Sequence, residues 1–546
     1  MRLSDRRPAV VAVLASLVLL FTACGGPPGN GSDPEDRPAG SDSSSSTGDS
    51  TDAGSSGPVQ APDQQATARP TQPVPSVDVS GMVDPPPGEG MDRYTRQSLN
   101  WVDCYDEGEI QCASIRAPLD YDDPDGQAIT LAVSRKRATS TEAKGTLFIN
   151  PGGPGGSGLN YPSYFEGHGA EESYDIVGWD PRGVGQSTPV QCFDAQQLEE
   201  YTAFDYSPDD EQEIDALIEL TTEFGQACLE NSGQLLEHIS TEDTVRDLDL
   251  LRQLFEQPEL DYFGSSYGTS IGAMYATEFP DKVGRMVLDG ATSVGTTSEV
   301  RQSDGFERTL GAFATWCAEE NCPLGDSKKE VQSAIKDLLD SLDEEPIPGG
   351  RRDLTQALAT SGLIYALYSP ADTWPNLMMG LVSAIEDDDG TDLLRWADRY
   401  NQRDPDGEFG QFNASFPAIR CLDTTGGGVK GALKEWKQVQ KSAPTIGQYF
   451  GPDLICPTWP VESTGDLERP ISYDGDPPIL ILGTTGDPAT PYEYAEQMHD
   501  ALSSSRLVTL RAEGHLAFDQ SECVQEIVVR HLVRDEAPKK DRTCRP

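Results

Sequence analysis

The sequence predicts an α/β fold in which a mainly parallel central sheet carries helices on both faces and an inserted helical block. Three observations lead there. Short apolar, β-prone runs alternate with helical spacings from about residue 94 to residue 300. Strand signals disappear between about 301 and 415 and then return. The stretch Gly264-Ser265-Ser266-Tyr267-Gly268 lies between an apolar run (Leu260, Tyr262, Phe263) and a run of small helical residues from Ser270 to Ala276. A serine held at such a strand-to-helix turn needs small neighbours, because helix and strand pass closely and the backbone there is strained.

At the start of the chain, Arg2, Arg6 and Arg7 precede an apolar run from Pro8 to Ala23 that ends at Cys24. The run is short for a bilayer span and has the flanks of a signal peptide, so residues 1–24 are read as one. Leu20-Phe21-Thr22-Ala23-Cys24 resembles a bacterial lipobox, with Phe21 where leucine is usual. The expectation is a mature chain that begins at a lipid-modified Cys24 on the outer face of the membrane. The alternative is an ordinary secretory signal with an incidental cysteine; both export the protein. Residues 25–92 are rich in Gly, Ser, Pro, Asp and Thr, cannot bury a core, and read as a tether.

Residues 93–300 form the first part of the α/β core. Ala128–Val133, Gly145–Asn150, Tyr174–Asp180 and Val283–Leu288 read as strands, and Thr244–Leu254 has the spacing of a helix through Val245, Leu248, Leu251 and Leu254. Over 301–415 five helical segments follow: Phe306–Cys317, Glu330–Leu342, Leu354–Tyr368, Trp374–Ile385 and Thr391–Tyr400. A helical block between sheet strands is expected to cap the carboxyl ends of those strands, where ligands of such sheets bind. Residues 416–546 return to the core with strands at Pro478–Gly483 and Leu507–Leu510 and an amphipathic helix at Ser521–Arg534.

The 546 residues include 41 Lys and Arg against 91 Asp and Glu, a formal net charge of −50. No basic stripe offsets this charge, so nucleic acid is excluded as a partner. The charge suits cationic substrates such as peptide N-termini, or serves as a solubilising surface. Of the 11 cysteines, ten remain once Cys24 is set aside. They fall in sequence-near couples, 104 with 112, 192 with 228, 317 with 322, 421 with 456 and 523 with 544, proposed as disulfides of an exported protein. Sequence does not fix that connectivity.

A serine hydroxyl needs an imidazole to take its proton, and the imidazole needs a carboxylate to hold its tautomer. Of five histidines, His168 and His238 precede the Ser266 turn, and His499 and His531 fall in helical segments. His515 alone follows a late strand and opens a loop, which makes it the candidate base. Asp487, just after the strand Pro478–Gly483, is the candidate acid, although Asp in a Gly-Asp-Pro context is also a common turn former. The order Ser, Asp, His is that of α/β-hydrolases. Acyl transfer also requires donors for the oxyanion. These are expected at the backbone N–H of Tyr267 and at Gly153, within the loop Asn150-Pro151-Gly152-Gly153-Pro154-Gly155-Gly156-Ser157-Gly158. That loop has neither the lysine nor the glycine phase of a nucleotide-binding loop. The chemistry calls for no metal or organic cofactor.

NPGGPGGSG, DIVGWDPRGVGQS, YFGSSYGTSIGAMYATEFPDKVGRMVLDG, AIRCLD, GDPATP and the late GH together resemble the secreted tripeptidyl aminopeptidases of actinomycetes, in the prolyl-aminopeptidase-like branch of the α/β-hydrolase fold. The resemblance runs from about residue 94 to 546. It implies a serine exopeptidase that removes short peptides, often tripeptides, from free N-termini, with Ser266, Asp487 and His515 as its triad. Leu516 follows the histidine where the family commonly has a glycine or other small residue. Asp423 is a possible anionic contact for the substrate ammonium, or a turn cap. The rival readings are an esterase or other small-molecule hydrolase on the same fold, and a surface lipoprotein that keeps the scaffold only for binding.

Overall fold

Alternating apolar runs build one ten-stranded sheet in the computed structural model, which describes residues 81–104, 109–295 and 300–546. Its strands in chain order are β1 (Val102–Asp103), β2 (Ile110–Pro118), β3 (Ala128–Lys136), β4 (Gly145–Asn150), β5 (Tyr174–Trp179), β6 (Leu260–Ser265), β7 (Val283–Asp289), β8 (Ile479–Gly486), β9 (Ser505–Glu513) and β10 (Arg542–Cys544). Across the sheet the order is β1-β2-β3-β5-β4-β6-β7-β8-β9-β10. The pairings from β5 to β10 are parallel, and those joining β1, β2, β3 and β5 are antiparallel. The predicted α/β class with a mainly parallel sheet is the class observed.

The parallel strands read as continuous apolar runs because both faces are covered. Phe148, Tyr262, Met286, Leu288, Ile479 and Ile481 enter a core with the helices Thr241–Leu254 and Gly268–Glu278. Their neighbours Leu147, Ile149, Phe263, Val287, Leu480 and Leu482 enter the opposite core, with Phe165 and the helix Glu522–Arg534. Successive side chains of a strand point to opposite faces, so each run feeds two cores at once.

Between β7 and β8 lie the helices Gln302–Glu319, Lys328–Glu344, Gln356–Tyr368, Trp374–Glu386 and Thr391–Tyr400. They share a hydrophobic core of their own, built on Phe306, Phe313, Ile335, Leu339, Leu363 and Leu381. A two-stranded ribbon, Ile347–Pro348 with Asp353–Leu354, interrupts them where strand signals were not expected.

The boundary set at 415 from sequence falls inside the helix Phe412–Asp423. That helix buries Ala418, Ile419 and Leu422 in the core of the main sheet. The chain then returns to the cap, where Ala443, Ile446 and Tyr449 join the helical core. Cap and sheet are therefore interleaved after 415: the helix Phe412–Asp423 packs on the sheet, and Ala443, Ile446 and Tyr449, beyond the helix Gly428–Ser442, pack in the cap.

Cys24, the expected signal segment and the expected tether up to residue 80 lie outside the described residues. The last residues of the expected tether are not loose: Val83 exchanges two backbone hydrogen bonds with Ala128, at 2.8 and 2.9 Å. Val83 thereby forms an isolated antiparallel bridge with the first residue of β3, which the surrounding prolines conceal in a composition count. The five cysteine couples proposed from sequence are the five disulfides of the structure. No helix among the described residues is long and apolar enough to cross a membrane.

Candidate active site

Ser266 occupies the turn between β6 and the helix Gly268–Glu278, with φ +53° in the left-handed region. Its N–H donates to the Asp289 carbonyl at the end of β7, 2.8 Å away. The flanking glycines permit the turn: a Cβ on Gly264 would stand 2.3 Å from the Gly268 carbonyl oxygen, and one on Gly268 would stand 2.8 Å from the Asn150 carbonyl oxygen. Neither contact is tolerable, so strand, turn and helix approach this closely only without side chains there.

The glycine loop after β4 lies directly over the turn. A Cβ on Gly152 would come within 2.4 Å of the Ser265 carbonyl oxygen, 2.9 Å of the Tyr267 nitrogen and 3.0 Å of Ser266 Cβ. The Gly152 N–H is taken by the Asn150 side-chain oxygen at 2.9 Å. Among the described residues the N–H groups of Gly153 and Tyr267 donate to no backbone or side-chain acceptor. The structure thus sets the neighbouring Gly152 against the serine turn and leaves the N–H groups of Gly153 and Tyr267 uncommitted among the described residues.

Asp487 and His515 follow the adjacent strands β8 and β9, and His515 Nδ1 lies 2.9 Å from each Asp487 carboxylate oxygen. Asp487 also accepts the N–H groups of Ala489 and Thr490, at 2.9 and 2.8 Å, and that of Leu516 at 3.2 Å. Both residues are buried. The other ring nitrogen, Nε2, is buried and has no hydrogen-bond partner among the described residues. The cap contributes Tyr368, whose carbonyl accepts the His515 N–H at 2.9 Å and whose ring meets the imidazole edge-on, centroids 5.3 Å apart. Leu516 has φ +69°, in the left-handed region that glycine adopts without strain.

Ser266 and His515 are joined through the Asp289-Gly290 turn. A Cβ on Gly290 would stand 3.2 Å from His515 Cε1, while Asp289 holds the Ser266 backbone. The Asp289 carboxylate accepts the N–H groups of Ala517 and Phe518, both at 2.9 Å. Burial pushes its carboxyl up to about 7, against those two N–H bonds and the nearby imidazole, which lower it.

Sequence reasoning missed Asp289, although an aspartate ending an apolar strand beside the serine strand was a usable signal. It also missed Asp180, which ends the strand signal Tyr174–Asp180. Asp180 accepts the Ser157 hydroxyl at 2.6 Å and the Gly158 and Gln186 N–H groups at 3.0 and 2.6 Å, anchoring the glycine loop. Burial raises its carboxyl to about 6.

Asp423 does not face a cleft. It is fully buried and accepts the Thr241 N–H at 2.7 Å, and the Thr241 hydroxyl bridges it to the Tyr267 hydroxyl. It therefore braces the residue after the nucleophile and offers no surface to an ammonium group.

Comparisons with known proteins agree with this architecture. The α/β hydrolase fold model matches residues 145–328, and the TAP-like protein model matches 443–544. The tripeptidyl aminopeptidase of Streptomyces lividans is 32% identical over 482 residues, covering 83% of this chain and 88% of that protein. Serine protease Hip1 of Mycobacterium tuberculosis is 32% identical over 480 residues, 82% of this chain and 91% of that protein. A protein named carboxylesterase B from the same organism is 33% identical over 476 residues, 82% and 90%. Likeness of this extent, running through both halves of the sheet and the cap between them, shows that the chain belongs to the tripeptidyl aminopeptidase family of α/β-hydrolases and is a serine hydrolase.

Proposed function

We propose that this chain is an exported, lipid-anchored serine exopeptidase that releases short peptides, chiefly tripeptides, from free N-termini. The observation that carries the reading is the buried Asp487–His515 pair, whose Nε2 has no partner among the described residues and whose imidazole lies against the Asp289-Gly290 turn that holds the Ser266 backbone. In this reading Ser266 attacks the scissile carbonyl while His515 Nε2 takes its proton, and Asp487 holds the imidazole by Nδ1 and stabilises its charged form. The Gly153 and Tyr267 N–H groups receive the oxyanion. His515 then protonates the leaving amine, and water, activated by the same nitrogen, hydrolyses the acyl-enzyme. The likeness to tripeptidyl aminopeptidase supports the substrate class, and the signal-like first 24 residues ending at Cys24 support export and anchoring.

The likeness to the protein named carboxylesterase B favours a second reading, an esterase using the same acyl chemistry. One assay separates the two. The purified protein and Ser266→Ala are offered free and N-acetylated tripeptidyl chromogenic amides and short-chain p-nitrophenyl esters. Cleavage of the unblocked amide alone, lost in the variant, is the expected result. Equal cleavage of the acetylated amide would exclude an aminopeptidase, and turnover of esters alone would leave the esterase. Absence of all turnover, with no labelling of Ser266 by a fluorophosphonate, would leave a binding protein. Metabolic labelling with a fatty-acid analogue, abolished in Cys24→Ala, tests the anchor.

A further inference from the structure

The segments that carry Ser266 and His515 meet on Asp289. This residue ends β7, between β6 and β8. Its carbonyl accepts the Ser266 N–H at 2.8 Å, holding the nucleophile's backbone at the turn. Its fully buried carboxylate accepts the N–H groups of Ala517 and Phe518 at 2.9 Å each, two and three residues after His515. The next residue, Gly290, has φ +67° and lies against the imidazole. A Cβ there would stand 3.2 Å from His515 Cε1, 3.1 Å from Thr490 Oγ1 and 2.7 Å from Leu516 Cδ2. One residue therefore holds both catalytic segments through different atoms.

We propose that Asp289 is a positioning residue that clamps the His515 loop to the Ser266 turn and so sets the distance and angle between imidazole and hydroxyl. This rests on the reading of Ser266, Asp487 and His515 as a triad. The loop from Gly514 to Ser521 lies beyond β9 and before the helix Glu522–Arg534, outside the sheet ladder. Its backbone needs acceptors from elsewhere. Two donors on consecutive residues call for two acceptor oxygens, which a carboxylate has and an amide lacks. A displacement of about 1 Å between reacting groups costs roughly a hundredfold in rate, so a loop held at one end only would be a poor base. No bond of the substrate is made or broken at Asp289, so its effect falls on kcat.

The test uses the full chain carrying Asp289→Asn beside the wild type. Both are normalised to the fraction of sites titrated by a fluorophosphonate and assayed on whichever amide or ester the wild type turns over. The expected result for a folded, fully titratable Asp289→Asn protein is a kcat lower by at least about tenfold with KM within about twofold of wild type. A kcat per titrated site within about twofold of wild type, or a change confined to KM, would overturn the clamp. Should Asp289→Asn not fold, amide hydrogen exchange in the wild type decides. Exchange at Ala517 and Phe518 as slow as in the strand β7 supports the clamp, and exchange as fast as in an unbonded surface loop overturns it. Failure of the phosphonate to label Ser266 in the wild type would instead remove the triad reading and the clamp with it.

Discussion

His515 Nδ1 lies at the same distance, 2.9 Å, from both carboxylate oxygens of Asp487. Those oxygens are held in turn by backbone N–H groups of Ala489, Thr490 and Leu516. The imidazole is thereby fixed with its proton on Nδ1 and its basic nitrogen free, the tautomer that proton removal from a serine requires.

Asp487→Asn is expected to fold and to lose activity. An asparagine amide presents N–H toward Nδ1 and favours the opposite tautomer, in which Nε2 already carries the proton. The expected loss in kcat is about 10⁴-fold, with a matching loss in the rate of fluorophosphonate labelling. Labelling at the wild-type rate would show that Asp487 does not govern the base.

Gly152→Ala should damage the oxyanion site and spare the triad. The added methyl would stand 2.4 Å from the Ser265 carbonyl oxygen, on a backbone at φ +93°. The loop must move away from Ser266, carrying Gly153 with it. A drop of about 10²-fold in kcat is expected, the cost of losing one oxyanion donor. A variant with wild-type kcat would remove this loop from the reaction.

Asp423 makes stability depend on pH in a predictable direction. Burial, assisted by the Asp466 and Asp243 charges and opposed by the Thr241 bonds, pushes its carboxyl up to about 8. In the unfolded chain an aspartate titrates near about 4, so between about pH 4 and 8 the folded state holds a proton that the unfolded state has released. Its contribution is complete below that window and is lost as pH rises through it. Asp423→Asn keeps an acceptor for the Thr241 N–H and carries no charge. Its Tm should exceed that of wild type by a few degrees near pH 9 and converge with it near pH 4. A difference independent of pH would contradict this account.

Arg182 and Asp247 form a buried ion pair beneath the sheet's carboxyl end, with Nε–Oδ2 2.7 Å and Nη2–Oδ1 2.8 Å, neither residue exposed. Arg182 also donates to the carbonyls of Pro118, Leu119 and His238, tying three segments together. Asp247→Asn leaves a guanidinium without its main counter-charge in a dry site. The expected destabilisation is about 3 kcal/mol, the lower end for such pairs, since Asp243 remains 3.7 Å from Arg182 Nη1. Chemical denaturation measures it, and a change below about 1 kcal/mol would show that water or Asp243 fully compensates.

Much of the site was legible in sequence because its signals are local. The Ser266 turn needs glycines within two residues, and Asp487 and His515 each follow an apolar strand directly. The cysteine couples were visible because each disulfide joins consecutive cysteines along the chain. Asp423 stayed open in sequence between a substrate contact and a cap, because no local pattern tells a capping carboxylate from one that faces a cleft. The interleaving of cap and sheet after residue 415 was hidden for a related reason: apolar residues of the helix Phe412–Asp423 and those at 443, 446 and 449 read alike as buried, and spacing does not name the core each set enters.

The sequence by itself determined the α/β class, the order of serine, acid and histidine, and the glycine loop that must lie against them, since each depends on residues a few positions apart. Tertiary structure alone decided which carboxylates touch which backbone. Asp289 and Ala517 are 228 residues apart, and they meet because the sheet sets β7, β8 and β9 side by side and delivers their carboxyl ends to one place. Strand order is a property of the whole packed sheet, in which the central strands must bury two apolar faces at once, and no window of sequence contains it.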